Sequence, residues 1–413
     1  MILVAERAAA AAGRTAHRGL HHHRHRPRPS RRPLLAGLLA AGALAACQPA
    51  GQAQQVVKFT GPTMGSSYQI SYVAESGAPG LAAAQAGVQA ILGEIDAAVS
   101  TYRADSALAR FNAAPAGTCM DMPAAAIALA EHAQALHAAS GGAFDVSLLP
   151  ALEAWGFRHR PSAPVTTNIS ASAAAAAASP TAPTAPTEAE LQALRQRVGM
   201  QHLRVEGARL CKSAPIRLEF NSTAAGYAVD RVAQWLEGQG VRSYLVEITG
   251  EMRAAGRKPG RKPDGEPWRI AIEAPLENAR QAQKILALQD MALSTSGDYR
   301  NWREAGGQRY SHTLDARSLR PVRHALASVT VAHASALQAD GLSTLLMALG
   351  PEAGYDYASA HGLAALFITR TGEGKNESEN GGFATRSTAA FDAAFPPSAP
   401  FALSTPSATG EKP

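Results

Sequence analysis

Residues 335–350 read SALQADGLSTLLMALG. Leu337, Leu342, Leu345, Leu346 and Leu349 recur at three- and four-residue steps, which predicts a helix with a buried face. On that helix Asp340 and Thr344 stand four residues apart, so both project from one side and offer hard oxygen donors to one small cation. A capped core helix, with Thr344 bonded back to its own backbone, would use the same two residues. For an isolated D-x-x-x-T pair that plainer reading is favoured, and the rest of the chain has to decide between them.

A chain of 413 residues can form one large domain or two ordinary ones around a substantial core. The net charge of +6 does not point to nucleic acid. Residues 1–33 hold eight Arg and one Glu, a net of +7, which leaves about −1 for the remainder and no basic surface for a phosphate backbone. Residues 34–47, LLAGLLAAGALAAC, form an apolar run too short to span a bilayer comfortably, ending in small residues before a cysteine. The run is similar to a bacterial lipoprotein signal with Leu44-Ala45-Ala46-Cys47 as the lipobox. That likeness implies removal of residues 1–46, lipidation of Cys47 and a tether at 47–55, placing the protein on the periplasmic face of the inner membrane. Ser30-Arg31-Arg32-Pro33 also resembles a twin-arginine export signal, and the histidines around His21–His25 belong to the segment that would be cleaved away. Cys119 and Cys211 then remain, far apart and without C-x-x-C or Cys/His metal spacing; in an oxidising compartment they could pair, but two distant cysteines make no framework and buried free thiols are the favoured reading.

VVKFTGPTMGSSYQISYVA, from Val56, reads as two strands joined through Gly61-Pro62-Thr63-Met64-Gly65, a turn that exposes Met64. Residues 81–99 have helical periodicity, and a second helix opens at Pro123 and stops at Gly141-Gly142. Residues 161–187 are rich in Ala, Pro, Ser and Thr without periodicity, and read as a disordered insertion with too few apolar groups to offset its ordering entropy. A short helix at 188–197 follows, then strand-like LRVE and IRLEF flanking Cys211 as a hairpin, then a helix at about 227–237. SYLVEI, WRIAIEAP, ILALQDMALSTSG and AALFIT supply further strands, and residues 396–413 read as a mobile tail. Strands and helices mix without regular βαβ alternation, which favours an α+β fold.

Several short motifs stand in order along this framework: Thr63-Met64-Gly65, Ser100-Thr101-Tyr102-Arg103, Gly141-Gly142-Ala143-Phe144-Asp145, Gly226-Tyr227-Ala228-Val229-Asp230 and Tyr244 to Glu251. Ser296-Gly297-Asp298-Tyr299-Arg300-Asn301, Tyr310-Ser311-His312 and the 335–350 helix complete the set. Together they resemble the ApbE family of FAD:protein FMN transferases, over residues 56–395 less the Ala/Pro insertion. The resemblance implies a single α+β, T-fold-like catalytic domain that binds FAD and Mg²⁺ and moves FMN to a threonine hydroxyl of a partner protein, releasing AMP. Flavin-carrying subunits of membrane redox pumps, of the Na⁺-translocating NADH:quinone reductase or Rnf type, are the implied acceptors.

By position the resemblance implies that Met64, Tyr102, Ala143, Phe144, Asp145, Glu219, Ala225 and Leu314 line the FAD site. It implies that Ser222, through a backbone oxygen, Asp340, Ser343 and Thr344 surround the metal, with His312 as general base and Asp315 to orient it. Met64, Tyr102 and Phe144 would serve equally as ordinary packing residues. Three positions depart from the family pattern: Glu219 replaces the usual Asp, Ala225 the usual Lys or Gln, and Asp315-Ala316 the usual Asp-Pro. Losing one charge-assisted contact at Ala225 would weaken FAD binding roughly ten- to a hundredfold. Two other readings use the same residues: an FAD pyrophosphatase with water as nucleophile, and a flavin-binding lipoprotein without catalysis.

Overall fold

Tyr244, Leu245 and Val246 are all buried although successive residues of a strand face opposite ways, so both faces of their sheet must be covered. The computed structural model describes residues 2–4, 55–158, 185–276, 281–299, 302–305, 308–371 and 382–396. The lipobox with Cys47, residues 161–184 of the insertion and residues 397–413 of the tail lie outside them. Eight strands form the central sheet in the order Phe383–Ser387, Ala364–Arg370, Leu326–His333, Met291–Gly297, Glu251–Ala255, Tyr244–Ile248, Ser66–Ala74 and Gln55–Thr63. Every neighbouring pair in it is antiparallel. The mixed α/β architecture agrees with the expected class.

Alternation then sorts the strands between two cores. Ile70, Tyr72, Tyr244, Val246, Val329, Val331 and Phe367 join the helices Leu81–Val99, Ala124–Ala139, Ala224–Gly238 and Ala336–Leu349 in the larger core. Val73, Leu245, Met252, Leu293, Leu366 and Ile368 point the other way, against Trp268, Ile270, Ile272, Leu286 and Leu288 of a smaller sheet and Phe391 and Phe395 near the C-terminus. The smaller sheet pairs Trp268–Glu273 with Ala282–Leu288 and with Ile2–Val4. Cleavage before Cys47 would remove that last strand from the mature chain. A third cluster gathers Trp155, Leu191, Leu194, Tyr310, Leu314 and Leu319 around the loop that carries His312. Among the described residues no helix is long and apolar enough to cross a membrane.

Three expectations need correction. The hairpin partner of Leu203–Glu206 is Arg209–Lys212, not IRLEF; Ile216, Leu218 and Phe220 are buried along an irregular segment that leads to Asn221. Cys119 and Cys211 are not free thiols but a disulfide. Antiparallel pairing of Cys119–Asp121 with Arg209–Lys212 sets the two cysteines directly opposite, with Cα atoms 4.0 Å apart, a register that their sequence distance hides. The first hairpin turns on Met64-Gly65 alone; both residues have positive φ, +47° and +73°, as a two-residue primed turn requires. Met64 is thereby half-buried against the larger core rather than exposed. The helix Ala107–Ala113, capped by the Ser106 hydroxyl, had no sequence signal long enough to read.

Candidate active site

The helix Ala336–Leu349 begins where the pattern places it, but its start is capped from outside. Asp230, on the helix Ala224–Gly238, accepts from Ser335 Oγ at 2.7 Å, from the Ala336 N–H at 3.0 Å and from the Leu337 N–H at 3.1 Å. One carboxylate thus satisfies several of the donors a helix start leaves open. Arg253 holds that carboxylate from the sheet side at 3.0 Å. The two helices cross at Gly226, where a Cβ would come within 2.3 Å of the Ala336 carbonyl oxygen. Only glycine permits this approach, and it lets the Gly226 N–H donate to Asp340 Oδ2 at 2.9 Å.

Asp340 faces a cleft of about 700 Å³, the size of sites that enclose a large organic ligand. The structure brings Tyr102, Ala143, Phe144, Asp145, Glu219, Ser222, His312, Leu314, Asp340 and Thr344 together around it, although they span some 240 residues of sequence. Each is placed by a local cause. Gly141 and Gly142, with φ of +59° and +85°, end a helix in the left-handed region and turn Ala143-Phe144-Asp145 inward. Asp145 accepts from the N–H and hydroxyl of Ser147 at 2.7 and 2.5 Å, while burial pushes its carboxyl up. Ser222 lies in the turn before the helix Ala224–Gly238. Leu314 is buried in the third apolar cluster, and the Trp155 indole N–H donates to the Leu319 carbonyl at 2.8 Å, fixing the segment after His312.

Four of the expected site residues are not in the lining. Met64 is turned to the core by its hairpin, and Ala225 is buried in the first turn of its helix. Ser343 is fully buried, its hydroxyl held by Ser294 at 3.1 Å, Ser296 at 2.9 Å and the Asp340 carbonyl at 3.0 Å. Helical geometry turns it about 100° from Thr344, toward the sheet instead of the cleft. Asp315 accepts from Arg317 Nε at 3.0 Å and borders a neighbouring groove.

Glu251 is the residue whose role the sequence conceals. The strands Tyr244–Ile248 and Glu251–Ala255 join through Thr249-Gly250, with φ of +56° and +115°, and this tight turn delivers Glu251 to the cleft. The Thr249 hydroxyl donates to it at 2.7 Å. Burial first, and the Glu251 charge second, push the Asp340 carboxyl well above its ordinary range; burial raises Glu251 as well. Among the described residues the hydrogen-bond partners of both carboxylates are neutral donors, Gly226 N–H and Thr249 Oγ1. Two desolvated carboxylates beside the Thr344 and Ser296 hydroxyls, themselves 3.4 Å apart, are a donor set that a divalent cation would relieve.

An antiparallel sheet clamped between two cores, with close-crossing helices that aim carboxylates into a nucleotide-sized cleft, defines an enzyme rather than a structural module. The chain belongs to the ApbE family, whose model matches residues 64–367. It is 36% identical to the FAD:protein FMN transferase of Vibrio cholerae over 82% of this chain and 94% of that protein. With the FAD:protein FMN transferase of Haemophilus influenzae it shares 33% identity over 87% and 97% of the two chains. The apo crystal structure of the Pseudomonas stutzeri flavinyl transferase ApbE superposes with a TM-score of 0.70 at 47% identity, covering 84% of this chain and 98% of that one.

Proposed function

We propose that the chain is a Mg²⁺-dependent FAD:protein FMN transferase that attaches FMN to a threonine hydroxyl of a partner protein. The observation that carries this reading is the convergence of Asp340, Glu251 and Thr344 with His312 on one cleft able to take a dinucleotide. Asp340, Thr344, Glu251 and the backbone at Ser222 would hold the metal, which supplies neutralisation of charge developing on the pyrophosphate. Gly226 keeps the Asp340 carboxylate aimed by its N–H bond. Tyr102, Phe144 and Leu314 offer flat or apolar surface to the flavin and adenine rings. His312 accepts the proton of the threonine hydroxyl as that oxygen attacks the FMN-side phosphorus; the bond from this phosphorus to the bridging oxygen breaks, and AMP leaves with the bridging oxygen and its electron pair.

The same reading places the enzyme on the periplasmic face of the inner membrane, anchored through a lipid on Cys47, where subunits of Na⁺-translocating NADH:quinone reductase or Rnf-type pumps would be its acceptors. Incubation with FAD, Mg²⁺ and a peptide carrying a D-G-x-T/S-G-A-T-like segment should add the mass of an FMN residue to its threonine. Absence of an adduct with every divalent cation tried would refute transfer. AMP and free FMN appearing without any acceptor would show a pyrophosphatase instead.

A further inference from the structure

Asp145, Glu219, Glu251 and Asp340 line the cleft, and Arg158 is the one Lys or Arg in its lining among the described residues. A dinucleotide brings its own negative charge into that field, so the position of this cation matters to its binding. Arg158 follows the short helix Leu149–Ala154; the Phe157 and Arg158 N–H groups both return to the Leu152 carbonyl, at 2.8 and 3.3 Å, and close its end. From there Nη2 donates to Glu219 Oε2 at 2.9 Å, with the two side chains only 13% and 12% exposed. Nη1 donates to the Tyr102 hydroxyl, and the guanidinium carbon lies 4.9 Å from the Tyr102 ring centroid. Tyr102 itself is 80% exposed, an unusual placement for an aromatic whose partner is largely buried.

We propose that Arg158 is a binding and specificity-determining residue of the cleft, which selects a phosphate-bearing flavin over its uncharged counterpart while Glu219 and Tyr102 hold the guanidinium in place. The assignment rests on the reading of this cleft as the FAD site. Two bonds do not exhaust the five donors of a guanidinium, whose planar fork matches two phosphate oxygens at once. Holding the side chain beforehand lowers the ordering cost when the ligand arrives. It also gives Glu219 a use other than touching the flavin: its carboxylate positions the cation. Ala225 is absent from the cleft lining, so on this assignment Arg158 carries the positive charge that the departure at Ala225 removes.

The test is equilibrium binding of FAD and of riboflavin, followed by flavin fluorescence at several salt concentrations, to the wild-type chain, Arg158→Met and Arg158→Lys. Arg158→Met should weaken FAD about ten- to a hundredfold, the range of one charge-assisted contact, leave riboflavin nearly unchanged and flatten the salt dependence for FAD. Arg158→Lys should recover part of the FAD affinity and of the salt dependence, because the charge returns without the fork. Unchanged FAD binding in Arg158→Met, or equal losses for FAD and riboflavin, would overturn the assignment and leave Arg158 a structural ion pair. If the methionine variant does not fold, the lysine variant carries the same comparison: a loss confined to FAD supports the proposal and an equal loss for both ligands refutes it. A wild-type chain that binds no FAD would refute the flavin reading of the cleft and this assignment with it.

Discussion

The Gly226 N–H donates to Asp340 Oδ2 at 2.9 Å, so the backbone of one helix holds the principal carboxylate of the site on another. A Cβ at position 226 would stand 2.3 Å from the Ala336 carbonyl oxygen and 2.7 Å from the Asp340 Cβ. Gly226→Ala must therefore separate the helices and misplace Asp340 together. Overpacking of this kind costs about 1–3 kcal/mol. A lower melting temperature accompanied by a fall in FMN transfer is expected; a variant with wild-type melting and rate would show that the crossing is slack.

Asp340→Asn keeps an acceptor for Gly226 but removes one of two like charges forced together by burial. Activity should fall by about two orders of magnitude or more as metal-assisted charge neutralisation is lost. The melting temperature of the metal-free protein should hold or rise, since the repulsion with Glu251 is relieved. Calorimetric titration with Mg²⁺ and a melting curve separate the two effects.

His312→Gln preserves size and polarity at the cleft without a titrating base. FMN transfer should drop about 10²–10⁴-fold while FAD affinity stays within a few-fold, because general-base catalysis acts on the transition state and not on ligand binding. Equal losses in binding and rate would instead make His312 a flavin contact.

Burial first, and the nearby His333 second, hold the His132 imidazole down at about 4, with its Nε2, beside Gly341, lacking a hydrogen-bond partner among the described residues. The unfolded chain takes up this proton near the ordinary value of 6.5. Stability is therefore fully present above pH 6.5 and is lost as the pH falls toward 4, by up to about 3 kcal/mol for this one group. Urea unfolding midpoints across that window should fall for the wild type and fall less for His132→Met.

The Cys119–Cys211 bond closes a loop across 92 positions on strands away from the cleft lining. Replacing both cysteines by serine should cost about 2–4 kcal/mol of stability with the transfer rate at 25 °C unchanged. A double variant with an unaltered denaturation midpoint would mean that the pairing contributes nothing to the fold.

Residues 335–350 announce a helix and an oxygen pair because both follow from local periodicity: the leucines set the buried face, and four residues bring Asp340 and Thr344 to one side. The glycine pair at 141–142 is legible for the same reason, whereas the continuous apolar run Tyr244-Leu245-Val246 announces a strand but not the two cores between which its residues are sorted. Ser343 shows where such reading stops. It is one residue from Thr344 and oxygen-bearing like it, yet only the strand serines at 294 and 296 decide that it faces the sheet. The roles of Glu251 and Arg158, the inward turn of Met64 and the meeting of Cys119 with Cys211 depend likewise on which elements lie alongside one another. By itself the sequence determined most of the longer elements, the buried face of the 335–350 helix and the family pattern, because these are periodic or local properties of the chain. Only the tertiary structure decided which carboxylate stands next to Asp340 and which cation faces them, because electrostatic partners are set by distance in space, which no spacing along the chain encodes.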